Sequence, residues 1–185
     1  IHFIVGNHED MMYRSYCSTK LKKRNGYFVI NGDVDLWFSN GGQCTAEAFL
    51  LLEEKEQLEI ISYIENSLLA IPELIVNGQK FFLVHSFPIW KENYKYIDNF
   101  RTLDAYDMLW TRLYEYDDNT IQDIIPQDTI LIFGHSKIDN LYYYIDNILI
   151  GDDEAKRKIY HYNKNNARFI DIDCGLGQIT CRIDD

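Results

Sequence analysis

Three apolar runs in this chain each lead into a histidine, and that arrangement limits the possible folds more than any other feature. Ile1-His2-Phe3-Ile4-Val5 leads into Gly6-Asn7-His8-Glu9-Asp10, Phe81-Phe82-Leu83-Val84 into His85-Ser86, and Ile130-Leu131-Ile132-Phe133 into Gly134-His135-Ser136. Short runs of this kind, rich in Ile, Val and Phe, read as buried strands. In an α/β protein the residues just beyond the carboxyl ends of such strands face the crevice where ligands bind. His8, His85 and His135 are three of the 5 histidines, and a folded sheet can gather them although they lie far apart in sequence. Gly6 is expected to turn the backbone at the first run without a Cβ clash.

The residue types suit metal and proton chemistry. Asn7 can offer a carbonyl oxygen to a cation, and the neutral imidazoles of His85 and His135 are ligands for Mn²⁺, Fe or Zn²⁺. His8, next to Asn7, can point elsewhere and move a proton. His2 in mid-run and His161 in a polar stretch read as structural or exposed. Asp171 and Asp173 lie on or beside a late strand, where they either support the site or are solvated turn carboxylates.

Composition narrows the class. Hydrophobic residues make up 46% of 185 residues, enough for one domain with a substantial core and too many for a disordered chain. No run approaches the roughly 18 apolar residues of a membrane span, so no membrane partner is expected. The net charge of −11 argues against nucleic acid, whose binding needs a lysine or arginine face. Cys17, Cys44, Cys174 and Cys181 form no Cys-x-x-Cys pair. They are expected to be free, buried and reduced, which fits a cytoplasmic location.

Pattern and turn chemistry give the elements. Residues 9–19 read as a helix with acidic residues in its first turn. Residues 20–42 read as a loop or hairpin region in which Tyr27-Phe28-Val29-Ile30 turns at Asn31-Gly32. Helices are expected over 45–52 and 54–69, the second with Leu58, Ile61, Ile64 and Leu68 as core and Pro72 helping to end it. Glu73 to Val84 reads as a hairpin about Asn77-Gly78. An aromatic, acidic excursion over 88–127 carries a short helix at 104–112, with Trp110 as core packing. Strands are expected over 129–133, 141–145, 148–150, 167–172 and 179–183, with a polar surface excursion over 152–166. With no internal repeat or linker, one domain over 1–185 is the simplest partition.

With these segments in order, the chain resembles the calcineurin-like metallophosphoesterases, and among them the bacterial and phage serine/threonine protein phosphatases. Gly6-Asn7-His8-Glu9 resembles that family's Gly-Asn-His-Glu signature, Leu83-Val84-His85 its second metal histidine, and Phe133-Gly134-His135-Ser136 its Gly-His-Thr block with Ser for Thr. Ile170-Asp171-Ile172-Asp173-Cys174-Gly175 is similar to the closing strand, and Trp37 to Gly42 and Leu109 to Arg112 are similar to segments of the phage-type subgroup. The family's upstream Asp-x-His and Gly-Asp-x-x-Asp-Arg-Gly motifs have no counterpart here, and Val5 stands where many relatives carry Arg.

The resemblance implies an α/β fold, a metallophosphoesterase-like β-sandwich flanked by helices, N-terminally truncated and lacking its first strands. It implies a metal-dependent phosphoester hydrolase, a phosphoprotein (Ser/Thr) phosphatase with a dinuclear metal centre and a metal-bound hydroxide. The alternatives are a symmetrical dinucleoside-tetraphosphate hydrolase and a non-catalytic phosphoesterase-like binding domain. Asn7, His85 and His135 would be metal ligands, His8 the catalytic general acid, and Arg112 the substrate-binding cation; the blander reading of Arg112 is a surface ion pair. The intact enzyme would hold two divalent ions, Mn²⁺ first, with Fe or Zn²⁺ as alternatives, and this chain at most one, weakly. A phosphoprotein or small phosphoester is the expected partner, and self-association through exposed sheet edges is expected of the truncated chain.

Overall fold

The structure is a computed structural model that describes residues 2–88, 105–115, 128–137, 160–164 and 167–173. The fold is mixed α/β, and the chain divides into two compact units, Ile1–Leu68 and Leu69–Asp185.

In the N-terminal unit the opening apolar run is extended and makes one parallel bridge among the described residues, Ile4 to Leu68. Val5 N donates to Leu68 O and Leu68 N to Phe3 O, both at 2.9 Å. Helix α1 (Asn7–Thr19) follows at once, with Gly6 as its N-cap. Glu9 Oε2 folds back to accept from Gly6 N at 3.0 Å, and Glu9 and Asp10 lie where the helix dipole favours negative charge. Gly6 has φ −105° and ψ 176°. That is ordinary extended backbone, so the expectation that the turn requires glycine is corrected.

A two-stranded ribbon, β1 (Lys23–Arg24) and β2 (Tyr27–Phe28), follows α1. Its turn is Asn25-Gly26, with φ 52° and 83°, the pair of positive angles a type I′ turn demands. The turn expected at Asn31-Gly32 does not form. Asn31 Oδ1 instead accepts from Val34 N at 3.0 Å and caps helix α2 (Gly32–Ser39), which residues 20–42 were not expected to contain. Asp33 and Asp35 after that cap favour a helix start. Helix α3 (Gln43–Phe49) begins and ends earlier than the expected 45–52. Helix α4 (Glu54–Glu65) stops short of 69, and Leu68 leaves it to bridge Ile4. Of the stripe expected in its core, Ile61 and Ile64 are buried while Leu58 is exposed.

In the C-terminal unit β3 (Ala70–Val76), β4 (Gln79–Val84), β5 (Thr129–Phe133), β6 (Tyr160–Lys164) and β7 (Ala167–Asp171) form one sheet in the order β3-β4-β5-β7-β6. The central β4, β5 and β7 are parallel, and the edge strands β3 and β6 are antiparallel to their neighbours. Asn77 and Gly78, at φ 50° and 80°, make the β3–β4 turn at the expected Asn-Gly. Pro72, expected to help end a helix, lies in β3 at an irregularity between Ile71 and Leu74; an edge strand tolerates the missing donor. Strand β6 occupies part of the 152–166 stretch expected to be a polar excursion. The strands expected over 141–145, 148–150 and 179–183 lie outside the described residues. The described residues hold this five-stranded sheet and the two-stranded β1–β2 ribbon, and no second large sheet of the kind a sandwich needs is found among them.

Burial in β5 alternates, with Thr129, Leu131 and Phe133 buried, as a pleated strand dictates. Phe87 meets Phe133 and Phe169 edge-to-face, with ring centres 5.2 and 5.3 Å apart, and Phe82 joins them fully buried. Helix α5 (Ala105–Trp110) is fastened to the end of β4: Ser86 N donates to Met108 O and Phe87 N to Thr111 O, each at 3.1 Å. Cys17 and Cys44 are free but exposed, which corrects the expectation of burial; Cys174 and Cys181 lie outside the described residues. Among the described residues no helix is long and apolar enough to cross a membrane.

Candidate functional site

Because β4, β5 and β7 run parallel, their carboxyl ends share one sheet edge, and the chemistry-bearing residues of the C-terminal unit collect there. His85 follows β4 directly, and His135 follows β5 after Gly134. Gly134 N donates to His85 O at 2.9 Å, which fixes the two strand ends to each other. The imidazole centres are 5.1 Å apart and tilted by 55°.

His135 occupies a strained bend. Its φ is 66°, and Ser136 N donates back to Gly134 O at 2.7 Å, closing a three-residue γ-turn whose central residue has positive φ. This is the rarer and more costly form of that turn. It turns the His135 carbonyl outward, where Arg112 Nη1 donates to it at 2.6 Å. Arg112 comes from the segment just after α5, and Glu115 Oε2 accepts from its backbone N at 3.2 Å. The indole of Trp110 meets the His135 ring edge-on, centres 6.0 Å apart, and stacks on Tyr106 at 6.2 Å. Trp110 is thus partly exposed and packed on the site, rather than core as expected. Arg112 makes no ion pair among the described residues, so the surface-ion-pair reading is set aside there.

Asp171 closes β7 opposite Phe133 and is fully buried. Its Oδ1 accepts from Asp173 N at 2.8 Å, while Oδ2 has no hydrogen-bond partner among the described residues, and neither has the buried Oγ of Ser136. Burial pushes the Asp171 carboxyl up to about 8, with the neighbouring Asp173 charge adding to the rise and the Asp173 amide opposing it. At neutral pH it is therefore mostly a neutral acid able to donate a hydrogen bond. The solvated-turn reading of Asp171 is corrected. A signal for its depth was present: Asp171 stands two residues from Phe169 and so on the same, core-facing side of the strand.

In the N-terminal unit Asn7 and His8 stand together in the first turn of α1, Asn7 buried and His8 exposed. The extended run before them, with its parallel bridge from Ile4 to Leu68, leads directly into that turn. One turn further on, Arg14 Nε donates to both carboxyl oxygens of the buried Asp10 at 2.9 Å. Burial raises the Asp10 carboxyl above its ordinary range, and Arg14 opposes that rise.

Two imidazole nitrogens bound to one divalent ion at about 2.0–2.1 Å would hold their ring centres roughly 4.5–5.3 Å apart for ordinary ligand angles. The spacing of His85 and His135 falls in this range. Among the described residues no group of three or more His, Cys, Asp or Glu forms a metal cluster; the expected set draws only two ligands from those types. The chain matches no protein-family model and no curated protein.

Proposed function

We propose that this chain belongs to a metal-dependent phosphoester hydrolase of the calcineurin-like metallophosphoesterase type, with phosphoserine or phosphothreonine proteins as substrate. The observation that carries the reading is the His85–His135 pair at the carboxyl edge of parallel strands, with Arg112 bonded to the backbone of one of them. Such an edge is where α/β sheets bind ligands. His85 and His135 would hold the ion, and the resemblance names Asn7 as a further ligand. When bound, the ion polarises the phosphoryl oxygens and lowers the pKa of a water.

The chain's own residues have distinct tasks in this reading. Arg112 has its remaining guanidinium donors without partners among the described residues and presents a planar fork that matches phosphate oxygens. The resemblance gives His8, exposed at the start of α1, the task of protonating the departing alkoxide, which would otherwise leave slowly. Asp171, mostly protonated at neutral pH, brings little negative charge against an incoming phosphate there.

The test is turnover of a phosphoserine peptide and of a diadenosine polyphosphate side by side in Mn²⁺, with the whole protein that carries this chain and with its His85→Ala and His135→Ala variants. The reading requires phosphopeptide hydrolysis that both substitutions abolish. Preference for the diadenosine substrate would move it to the dinucleotide class. Hydrolysis untouched by either substitution would remove these histidines from the site.

A further inference from the structure

The chain carries 29 acidic residues against 18 Lys and Arg, yet residues 11–32 contain no Asp or Glu and hold Arg14, Lys20, Lys22, Lys23 and Arg24. The last four cluster at the β1–β2 ribbon. Lys20, Lys22, Lys23 and Arg24 are all exposed, and none forms an ion pair among the described residues. A strongly acidic protein that leaves four neighbouring cations uncompensated has separated its charge, and such separation steers an oppositely charged partner.

The ribbon is a built platform. Leu21 is buried beneath it, and Phe28 packs edge-on against Phe38 of α2, ring centres 5.0 Å apart. Its type I′ turn at Asn25-Gly26 has the twist that matches paired strands. Lys23 Nζ lies 4.6 Å from the Phe28 ring centre, which restrains that side chain on the surface. Beside the cations three apolar side chains stand in water: Tyr27 at 80% exposure, Val29 at 43% and Ile30 at 54%. Among the described residues the ribbon has two strands and no third strand pairs with its outer backbone edges, which can therefore accept a further strand.

We propose that the β1–β2 ribbon is a docking surface for an extended acidic polypeptide segment with interspersed apolar residues. Its carboxylates would meet Lys20, Lys22, Lys23 and Arg24, its apolar residues would cover Tyr27, Val29 and Ile30, and its backbone would pair with an open ribbon edge. Size favours a peptide over other polyanions. The five residues 20–24 span at most about 17 Å when extended, and beyond about 8 Å charges are screened at physiological salt. A short segment therefore senses the ribbon alone. A nucleic-acid duplex or an anionic bilayer extends much further and would also meet the acidic remainder of a chain whose net charge is −11. The inference goes beyond the hydrolase reading and stands whether or not the chain turns over phosphoesters.

The experiment is fluorescence anisotropy of the whole chain with a short labelled peptide alternating Glu and Val, at low and physiological salt. Oligothymidylate and phosphatidylserine vesicles serve as competitors. The expected result is salt-sensitive peptide binding that falls by about tenfold or more in the Lys22→Gln, Lys23→Gln, Arg24→Gln triple variant and by a smaller factor in Tyr27→Ser. Circular dichroism matching the native chain shows that the variants fold. Peptide binding that is absent at low salt, or unchanged in the triple variant, overturns the proposal. Tighter binding of oligothymidylate or vesicles than of the peptide also overturns it, as does self-association of the native chain that the triple variant abolishes.

Discussion

Arg112 Nη1 donates to the backbone carbonyl of His135 at 2.6 Å, so the guanidinium is tied to the main chain of the bend that carries the imidazole. Replacing Arg112 by Ala leaves that carbonyl without its charged donor. Hydrogen bonds to charged groups contribute roughly 1.5–3 kcal/mol. Partial exposure puts Arg112→Ala at the lower end, about 1–2 kcal/mol less stable. Urea unfolding measures this, and an unchanged midpoint would show that solvent replaces the bond at no cost.

Asp171 makes stability depend on pH. Its folded-state pKa is about 8 against an ordinary 3.8, so the native chain keeps a proton that the unfolded chain releases. Its contribution to stability is therefore full below about 3.8 and is lost as pH rises to about 8. Asp171→Asn, which cannot ionise, should flatten this decline and be the more stable protein at pH 8, by several kcal/mol on the order expected from about 1.4 kcal/mol per pKa unit. Unfolding curves at pH 5 and pH 8 that fall in parallel for both proteins would mean that another group causes the decline.

Gly42 has no room for a side chain. A Cβ there would lie 2.4 Å from two atoms of the Trp37 indole, and Trp37 is itself buried. Gly42→Ala should cost about 1–3 kcal/mol, as overpacking does. Gly134→Ala should cost less, because its Cβ would sit at an ordinary 3.7 Å from Asp173 Cβ and His85 O. Thermal melts of the two variants decide the order, and an equal loss would contradict it.

The proposed roles of Asn7, His8, His85 and His135 separate in metal and rate measurements. Three neutral ligands without a carboxylate anchor hold a cation weakly, so the chain should take up at most one ion, and His135→Ala should abolish uptake in calorimetric titration with Mn²⁺ or Zn²⁺. In the whole protein that carries this chain, His8→Asn should leave uptake intact while lowering kcat by roughly 10²–10⁴ with little change in KM, as loss of a general acid does. Two tightly held ions in this chain would refute the ligand set, and full activity of His8→Asn would refute the proton transfer.

Much of the C-terminal unit is legible in the sequence because its signals are local and strong. The apolar run 129–133 stands as β5 at the expected bounds, and Asn77-Gly78 makes its hairpin. The positions of His85 and His135 follow from strand length alone. Less legible are features decided by competition between similar signals. Two Asn-Gly pairs lie six residues apart, and only the tertiary setting assigns Asn25-Gly26 to a turn and Asn31 to a helix cap. The expected opening strand at 1–5 shows one bridge among the described residues, since an apolar run has strand character only where a partner pairs with it. Pro72 is placed by the edge position of β3, which no local pattern announces. The burial of Asp171 follows from strand alternation, but the positive φ of His135 has no local cue beyond the known tolerance of His for that region.

The bend at His135 has a consequence for how this protein can change over time. A non-glycine residue at φ 66° costs of the order of 1 kcal/mol or more, and glycine would remove that cost. Selection for robustness alone would therefore favour glycine there, at the loss of the imidazole. Where a histidine is kept at such a bend, stability and chemistry draw on the same residue in opposite directions, and a more heat-resistant variant of this chain must find its gain elsewhere.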